Sequence, residues 1–493
     1  MWARLLLCVL FLFAPALAAA SEPTAMARVK TSGVLRWGGD LQGGEPYVYE
    51  DPAHPGQLSG FEVELADAIA KELGVRAEFH QNDWSQLVPS LERGTFDVIL
   101  NGLEVTRSRV GRVAFSHPYY VFAERLMARK DDPRVKGLES LAGTRTGTLS
   151  NSFASELLAT RAVPVLYEGV EEPYLDLARG RTDAVLLDDI IAARYGQPHA
   201  DLRVVGDVAE GYYAVAMSPS EPDLKVAIDR ALAAIVERGE LDAILRRYAI
   251  DNARQLRLHS WSEKDQRAML GAEQAAPVMG LSHVWLFIKG AFMTLLVSVL
   301  AMSLAVPFGM ALALGRSFGP RWLARIAGAY VEVFRGTPVL LQLYVLYYGL
   351  ASVVRLDALA TAILGLGMNY AAYEAEVYRA GIAAVPKGQM AAAYALGMST
   401  PLALRRVLLP QAFRLALPNV TNDFIALLKD SSLVSIVTLT ELTKAYGNLA
   451  SSMRDHLGLG VVVAIWYLII GLPFARLSRT LEARLGQHLR PSA

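Results

Sequence analysis

Few residues in this 493-residue chain are of types that do covalent or metal chemistry. Its one cysteine, Cys8, lies in an apolar N-terminal run, so disulfides, cysteine nucleophiles and cysteine metal clusters are not expected. Eight histidines are scattered singly, and His54, His80 and His117 read as solvated or packed residues rather than ligands. No G-x-x-x-x-G-K-[ST] phosphate loop occurs, so ATP hydrolysis by that route is not expected. No cofactor, metal or nucleic acid is expected either. The informative residues are charges in unusual places. Glu374, Glu376 and Arg379 fall in one apolar stretch, and Asp423, Lys429 and Asp430 in another. Charges inside a membrane are costly, so these must lie near an end, pair, or face protein. Glu376 and Arg379, three apart, can meet on a helix. Between the two stretches runs "VPKGQMAAAYALGMSTPLALRRVLLP", residues 385–410, with Lys387, Arg405 and Arg406 and no acid. A short helix with a small-residue face can lie close in a partner's groove, and Gly397 permits a sharp break after it.

The elements that must position these residues divide the chain in two. Residues 281–493 hold 18 Lys and Arg against 9 Asp and Glu, which leaves 30 against 39 before them. A neutral total thus hides an acidic first half and a basic, apolar second half, the pattern of a soluble domain joined to a membrane domain. The start, with Arg4, an apolar core from Leu5 to Phe13 and Ala16-Leu17-Ala18, reads as a secretory signal over 1–20. In the soluble half, "LSGFEVELADAIAKELGV" gives Ser59 and Glu62 the spacing of a capping box and puts Phe61, Leu65, Ile69 and Leu73 on one helical face. "VRAEF" follows as a strand, and "LVPSLERGTFDVILNG" repeats helix, Gly94 turn and buried strand. Such alternation predicts an α/β domain with largely parallel sheets.

A polar linker is expected over 251–280 and a membrane domain over 281–480, followed by a tail, 481–493. The uncharged runs 290–315, 336–354 and 456–475 are long enough for spans across about 30 Å of hydrocarbon. Two charged stretches, roughly 358–384 and 416–440, bring the expected count to five spans. Arginines and lysines concentrate in alternate loops: Arg316 to Arg335, Lys387 to Arg414, and Arg476 onward. Basic loops stay inside, so segment 385–410 is expected in the cytoplasm and the soluble half outside.

"GFEVELADAIAKELG", "DWSQLVPSLERGTFDVIL", "TRSRVGRVAFSHPYY", "GRTDAVLLDD" and "AIDRALAAIVERGELDAILRRYAI" together resemble the periplasmic binding proteins for polar amino acids, of the family 3 type. The resemblance implies a two-lobed, type II periplasmic-binding-protein fold over 29–250. Lobe 1 would take about 29–122 and 212–250, and lobe 2 about 123–211, with closure about "YYVFAERLM" and "GYYAVAM". It also implies Arg109 for the substrate carboxylate and Asp188, with Asp189 competing, for the α-ammonium. Trp84 and Tyr47 would be aromatic walls, and Gly102 and Ser152 further contacts. A bidentate guanidinium suits the first role. Glu104 departs from the family, which has a small hydroxyl residue there. It pairs with Arg109 or a neighbouring base, meets a cationic substrate side chain, or turns to solvent. With Glu45, it tilts the expectation towards a basic amino acid.

Segment 385–410 resembles the loop that marks permease subunits of ATP-binding cassette importers, with Ala392, Ala393, Gly397, Val407, Leu409 and Pro410 at the family spacing. Ala391 stands where the family has a glutamate for the ATPase. "YVEVFRGTPVLLQLYVLYYGL" and "LLKDSSLVSIVTLTEL" resemble polar amino acid permeases. The implied protein is the receptor and permease of a polar amino acid importer, multi-pass in a bacterial inner membrane. It would be driven by a separate ATPase subunit and paired with a second permease chain, most simply its own copy. The competing readings are an amino-acid-gated channel and a sensory receptor with such an ectodomain. A channel would thread its spans through the receptor text, which here is unbroken before the first span.

Overall fold

The structure, a computed structural model, describes residues 24–271, 280–350, 353–354, 356–453 and 455–486. The expected signal segment, the end of the expected linker and the last residues of the tail lie outside these. The soluble half runs α1 (Ala25–Ser32), β1 (Val34–Gly39), α2 (Phe61–Glu72), β2 (Arg76–Gln81), α3 (Leu87–Glu92), β3 (Val98–Ile99) and β4 (Ala114–Arg129). It continues with β5 (Arg145–Leu149), α4 (Phe153–Leu158), β6 (Val163–Tyr167), α5 (Glu172–Ala178), β7 (Ala184–Asp188), β8 (Leu202–Met217), α6 (Pro222–Glu237) and α7 (Glu240–Arg247). Two compact units result. One contains the described residues up to Phe122 and from Glu210 to 271, and the other contains Ala123–Ala209 with the described residues from 280 onward.

In the first unit β1 pairs in parallel with β2 on one side and β3 on the other, and the end of β8 lies antiparallel on β3. Leu87, Leu91, Phe96, Ile99, Phe115 and Ala214 pack beneath this sheet. The helix expected from the periodicity is α2, with Phe61, Leu65 and Ile69 fully buried. Its start differs from the expected capping box. Gly60, at φ +136°, is the N-cap, and its Cβ position is filled by the Tyr47 carbonyl. The leading amides of Phe61 and Glu62 donate to the Pro46 and Tyr47 carbonyls (2.8 and 3.3 Å). A neighbouring loop therefore satisfies the helix end, and Glu62 is released for another task. The stretch expected as linker is largely helical where described, a 3-10 run over Ala253–Ser260 followed by a helix over Glu263–Leu270. The buried Gln255 side-chain amide accepts from the Val121 N–H and donates to the Val121 carbonyl (2.9 Å each), and Leu258 is buried.

In the second unit β7 is antiparallel to β4 and parallel to β5, which is parallel to β6. Leu126, Leu141, Leu158 and Leu186 form the core of this lobe. The helices beyond it are α8 (Leu281–Phe318), α9 (Arg321–Gly336), α10 (Val339–Tyr344, continued by a π-helical turn to Gly349), α11 (Ala358–Ala384), α12 (Lys387–Ala395), α13 (Leu409–Asp430), α14 (Leu442–Met453) and α15 (His456–Gly486). Among the described residues, two helical stretches are long and apolar enough to cross a membrane, His283–Phe318 and His456–Leu481. The stretch expected as the second span, 336–354, is helical only over Val339–Gly349, Thr337-Pro338 separating it from α9, and in the fourth the α-helix ends at Asp430 and a 3-10 run follows over Ser431–Val437. Small residues let the helices touch. A Cβ on Gly309 of α8 would lie 2.8 Å from the Ala371 carbonyl of α11, and one on Gly381 of α11 would lie 2.7 Å from the Ala412 carbonyl of α13. Some of the charges are paired, while Glu374 is fully buried with neither carboxylate oxygen hydrogen-bonded among the described residues. Glu376 bonds Arg379 (2.6 Å) and Arg316, and Asp430 accepts from the Tyr370 hydroxyl (2.7 Å).

Candidate functional site

Arg109 sits in the loop after β3 and is buried. Its guanidinium donates to the Glu104 carbonyl (2.8 Å) and to the Glu104 carboxylate (3.3 Å), and lies 5.0 Å over the Trp84 ring. Of the three fates open to Glu104, the structure therefore selects pairing with Arg109. Burial makes that outcome physical, because each charge would be costly here without the other. Trp84 is held by its own backbone, whose N–H donates to Asp40 (2.8 Å). The buried Asp40 carboxyl also accepts from Gln42 and Gln81, and desolvation raises its pKa.

Tyr47 and Gly102 belong with this group in a different way. Tyr47 is buried against Phe61, its hydroxyl 3.0 Å from that of Tyr213. A Cβ on Gly102, at φ +54°, would come within 2.7 Å of the Tyr47 ring. The Gly102 N–H and the Tyr119 hydroxyl both donate to Glu62. Glu62 is fully buried and holds the Gly102 turn in place. Sequence reading gave Glu62 to a helix cap. The signal that could have exposed its role was a glutamate on the apolar face of α2, next to Phe61.

In the second unit Asp188 ends β7. Its carboxylate caps the turn that follows, accepting from the Ile191 N–H (2.8 Å), while Asp189 accepts from the Ala123 N–H (3.1 Å). Asp188 stands in register with Glu124 on β4, and both are buried. Strand pairing thus brings two carboxylates side by side. Glu124 was not singled out in the sequence, since only the strand pairing brings it beside Asp188. The Tyr174 hydroxyl registers the same field, its pKa raised well above normal by burial first and then by Asp188 and Glu124. Ser152 is the N-cap of α4: its hydroxyl accepts from the Ser155 N–H (3.0 Å) and donates to the Leu149 carbonyl (2.9 Å).

The alanine-rich segment forms α12, closed by a Schellman motif. Gly397, at φ +76°, donates to the Tyr394 carbonyl (2.9 Å), and Met398 to that of Ala393 (3.1 Å). Ala391 and Ala392 are exposed, and Ala393 is buried. Pro410 lies in the first turn of α13, directly after a π-helical turn over Leu404–Leu408. Val385, Leu408 and Ala412 cluster with Met390 and Leu404, so this loop is packed onto α11 and α13. A cavity of about 490 Å³ in the helical part is lined by Arg335, Tyr370, Tyr373, Asp423 and Asp430 among others; Lys429 is not among them and is exposed.

Comparison with known proteins finds two family models on the chain. Bacterial extracellular solute-binding proteins, family 3, match residues 37–251. Binding-protein-dependent transport system inner membrane component matches residues 305–487. The L-cystine transport system permease protein of Bacillus subtilis (strain 168) is 34% identical over 202 residues, 41% of this chain and 86% of that protein. The glutamine transport system permease protein of Escherichia coli (strain K12) is 34% identical over 212 residues, 41% of this chain and 96% of that protein. The arginine transport system permease protein of Corynebacterium glutamicum is 37% identical over 196 residues, 36% of this chain and 61% of that protein. The chain belongs to the amino-acid permeases of ATP-binding cassette importers, with a family 3 solute-binding domain fused ahead of its inner-membrane domain.

Proposed function

We propose that the soluble half captures a polar amino acid outside the cell and that the helical half of the same chain carries it inward, driven by an ATPase subunit on its cytoplasmic face. Arg109 receives the substrate carboxylate, with Trp84 covering its guanidinium, and Asp188 receives the α-ammonium. The observation that carries this reading is the buried, pre-formed Arg109–Glu104–Trp84 group on a chain that continues into an amino-acid permease. The buried carboxylates of Asp188 and Glu124, in register on adjacent strands, give an ammonium an acidic setting, which supports the second role.

Glu104 is engaged by Arg109, so it no longer argues for a cationic substrate side chain. A basic amino acid is then supported by the likeness to an arginine permease, while other relatives are named for cystine and glutamine. The mixed charges of the membrane cavity suit a zwitterion in passage. Helix α12, with the Gly397 break and the exposed Ala391 and Ala392, docks on the ATPase through an apolar contact. Two copies of the chain form the translocation unit. Calorimetry on the purified chain with arginine, lysine, histidine, glutamine and glutamate tests the capture step; heat from none of them would reject it.

A further inference from the structure

Within the second unit, α5 and the turn after it meet the helical part through one concentrated polar cluster. Asp176 is 1% exposed. Its carboxylate accepts from Tyr167 (2.7 Å) and Tyr347 (2.8 Å) on one oxygen and from Arg181 (2.9 Å) on the other. Tyr347, in the π-helical turn after α10, reads both members of the ion pair. Its hydroxyl goes to the acid, its carbonyl accepts from Arg181 (3.0 Å), and its ring lies 3.9 Å under the guanidinium. Around this centre, the Tyr344 hydroxyl donates to Glu172 (3.0 Å) and Lys444 to Glu168 (2.6 Å). Leu175 packs on the apolar cluster of the helical core. Lys444 is itself fixed, because the first turn of α14 is capped by the buried Glu441, which accepts from the Thr443 and Lys444 amides (2.7 Å each).

A desolvated arginine and tyrosine at the centre with one charged pair and one hydroxyl–carboxylate bond at the edge is the anatomy of a specific interface. Separation would return the Tyr347 hydroxyl and carbonyl, the Tyr344–Glu172 hydrogen bond, the Lys444–Glu168 pair and the Leu175 contact to water while leaving Asp176–Arg181 intact within the lobe. We propose that this contact is a standing anchor: the second lobe stays seated on its own permease helices at Tyr344, Tyr347 and Lys444 whether or not amino acid is bound. Capture is then signalled by movement within the receptor, not by a receptor arriving from solution. The proposal rests on the transport reading above but is tested apart from it.

Glu168→Cys and Lys444→Cys are placed together in a Cys8→Ser chain, in membranes of cells that supply its ATPase. A reducible bis-thiol reagent as long as a lysine side chain bridges the pair. The anchor gives the same bridging yield with and without a mixture of the common amino acids, and bridged chains take up the radiolabelled mixture as well as reduced ones. A yield that falls when amino acids are added, or uptake that stops on bridging and returns on reduction, overturns it. Tyr347→Ala, which leaves the Asp176–Arg181 pair in place, lowers the bridging yield by about tenfold or more, while Tyr347→Phe lowers it less; an unchanged yield in Tyr347→Ala also overturns it. Constant bridging with no uptake in either state sinks the transport reading and leaves the anchor standing.

Discussion

At the scale of single residues, the receptor is built from charges that neutralise one another before any ligand arrives. Arg109 and Glu104 are both nearly out of solvent, so changing either leaves an uncompensated charge. Arg109→Lys keeps the charge and loses the planar fork. Calorimetry on the purified chain is expected to show amino-acid affinity lowered by about 1.5–3 kcal/mol, roughly ten- to a hundredfold. Unchanged affinity would remove Arg109 from the site. Glu62 makes a separate prediction. Glu62→Ala strands the Gly102 N–H and the Tyr119 hydroxyl, and thermal or denaturant unfolding of the receptor half is expected to show a loss of about 1–3 kcal/mol. Glu62→Gln, which retains an acceptor, should lose less.

At the scale of elements, strand pairing and helix ends decide what sequence spacing left open. The register of β4 on β7 sets Glu124 beside Asp188. Glu124→Gln lowers the local negative charge, so affinity for a zwitterionic amino acid is expected to fall several-fold while the fold is kept, as measured by calorimetry with unfolding as the control. Helix α12 depends on one left-handed residue. Gly397→Ala meets no neighbouring atom but forces a side chain into φ +76°, a strain of about 1–2 kcal/mol. Amino-acid binding should be unaffected and uptake reduced. If binding falls and uptake per bound receptor does not, α12 is not the element that meets the ATPase.

At the scale of the whole molecule, the proposed orientation puts two exposed residues on opposite faces of the membrane. Leu396, 79% exposed beside Gly397, and Leu256, 70% exposed in the receptor half, are suitable probes. As single cysteines on a Cys8→Ser chain, Leu256→Cys should react with an impermeant maleimide in right-side-out vesicles and Leu396→Cys only in inverted ones. The reverse pattern would reject the transport direction proposed here.

The sequence by itself determined the class of each half, because hydrophobic periodicity, uncharged length and charge asymmetry are local properties that a linear text records. Helix α2, the break at Gly397 and the ends of α11 were legible for that reason, as was the Glu376–Arg379 pair. The tertiary structure alone decided the partners. Arg109 took Glu104, a loop carbonyl replaced the expected Ser59 cap, Glu62 went to the Gly102 turn, and Tyr347 received an ion pair from a segment more than 160 residues earlier. All but the first join groups from separate segments of the chain, and in each case burial makes pairing obligatory. Spacing shows that a charge must be satisfied, but only packing shows by what.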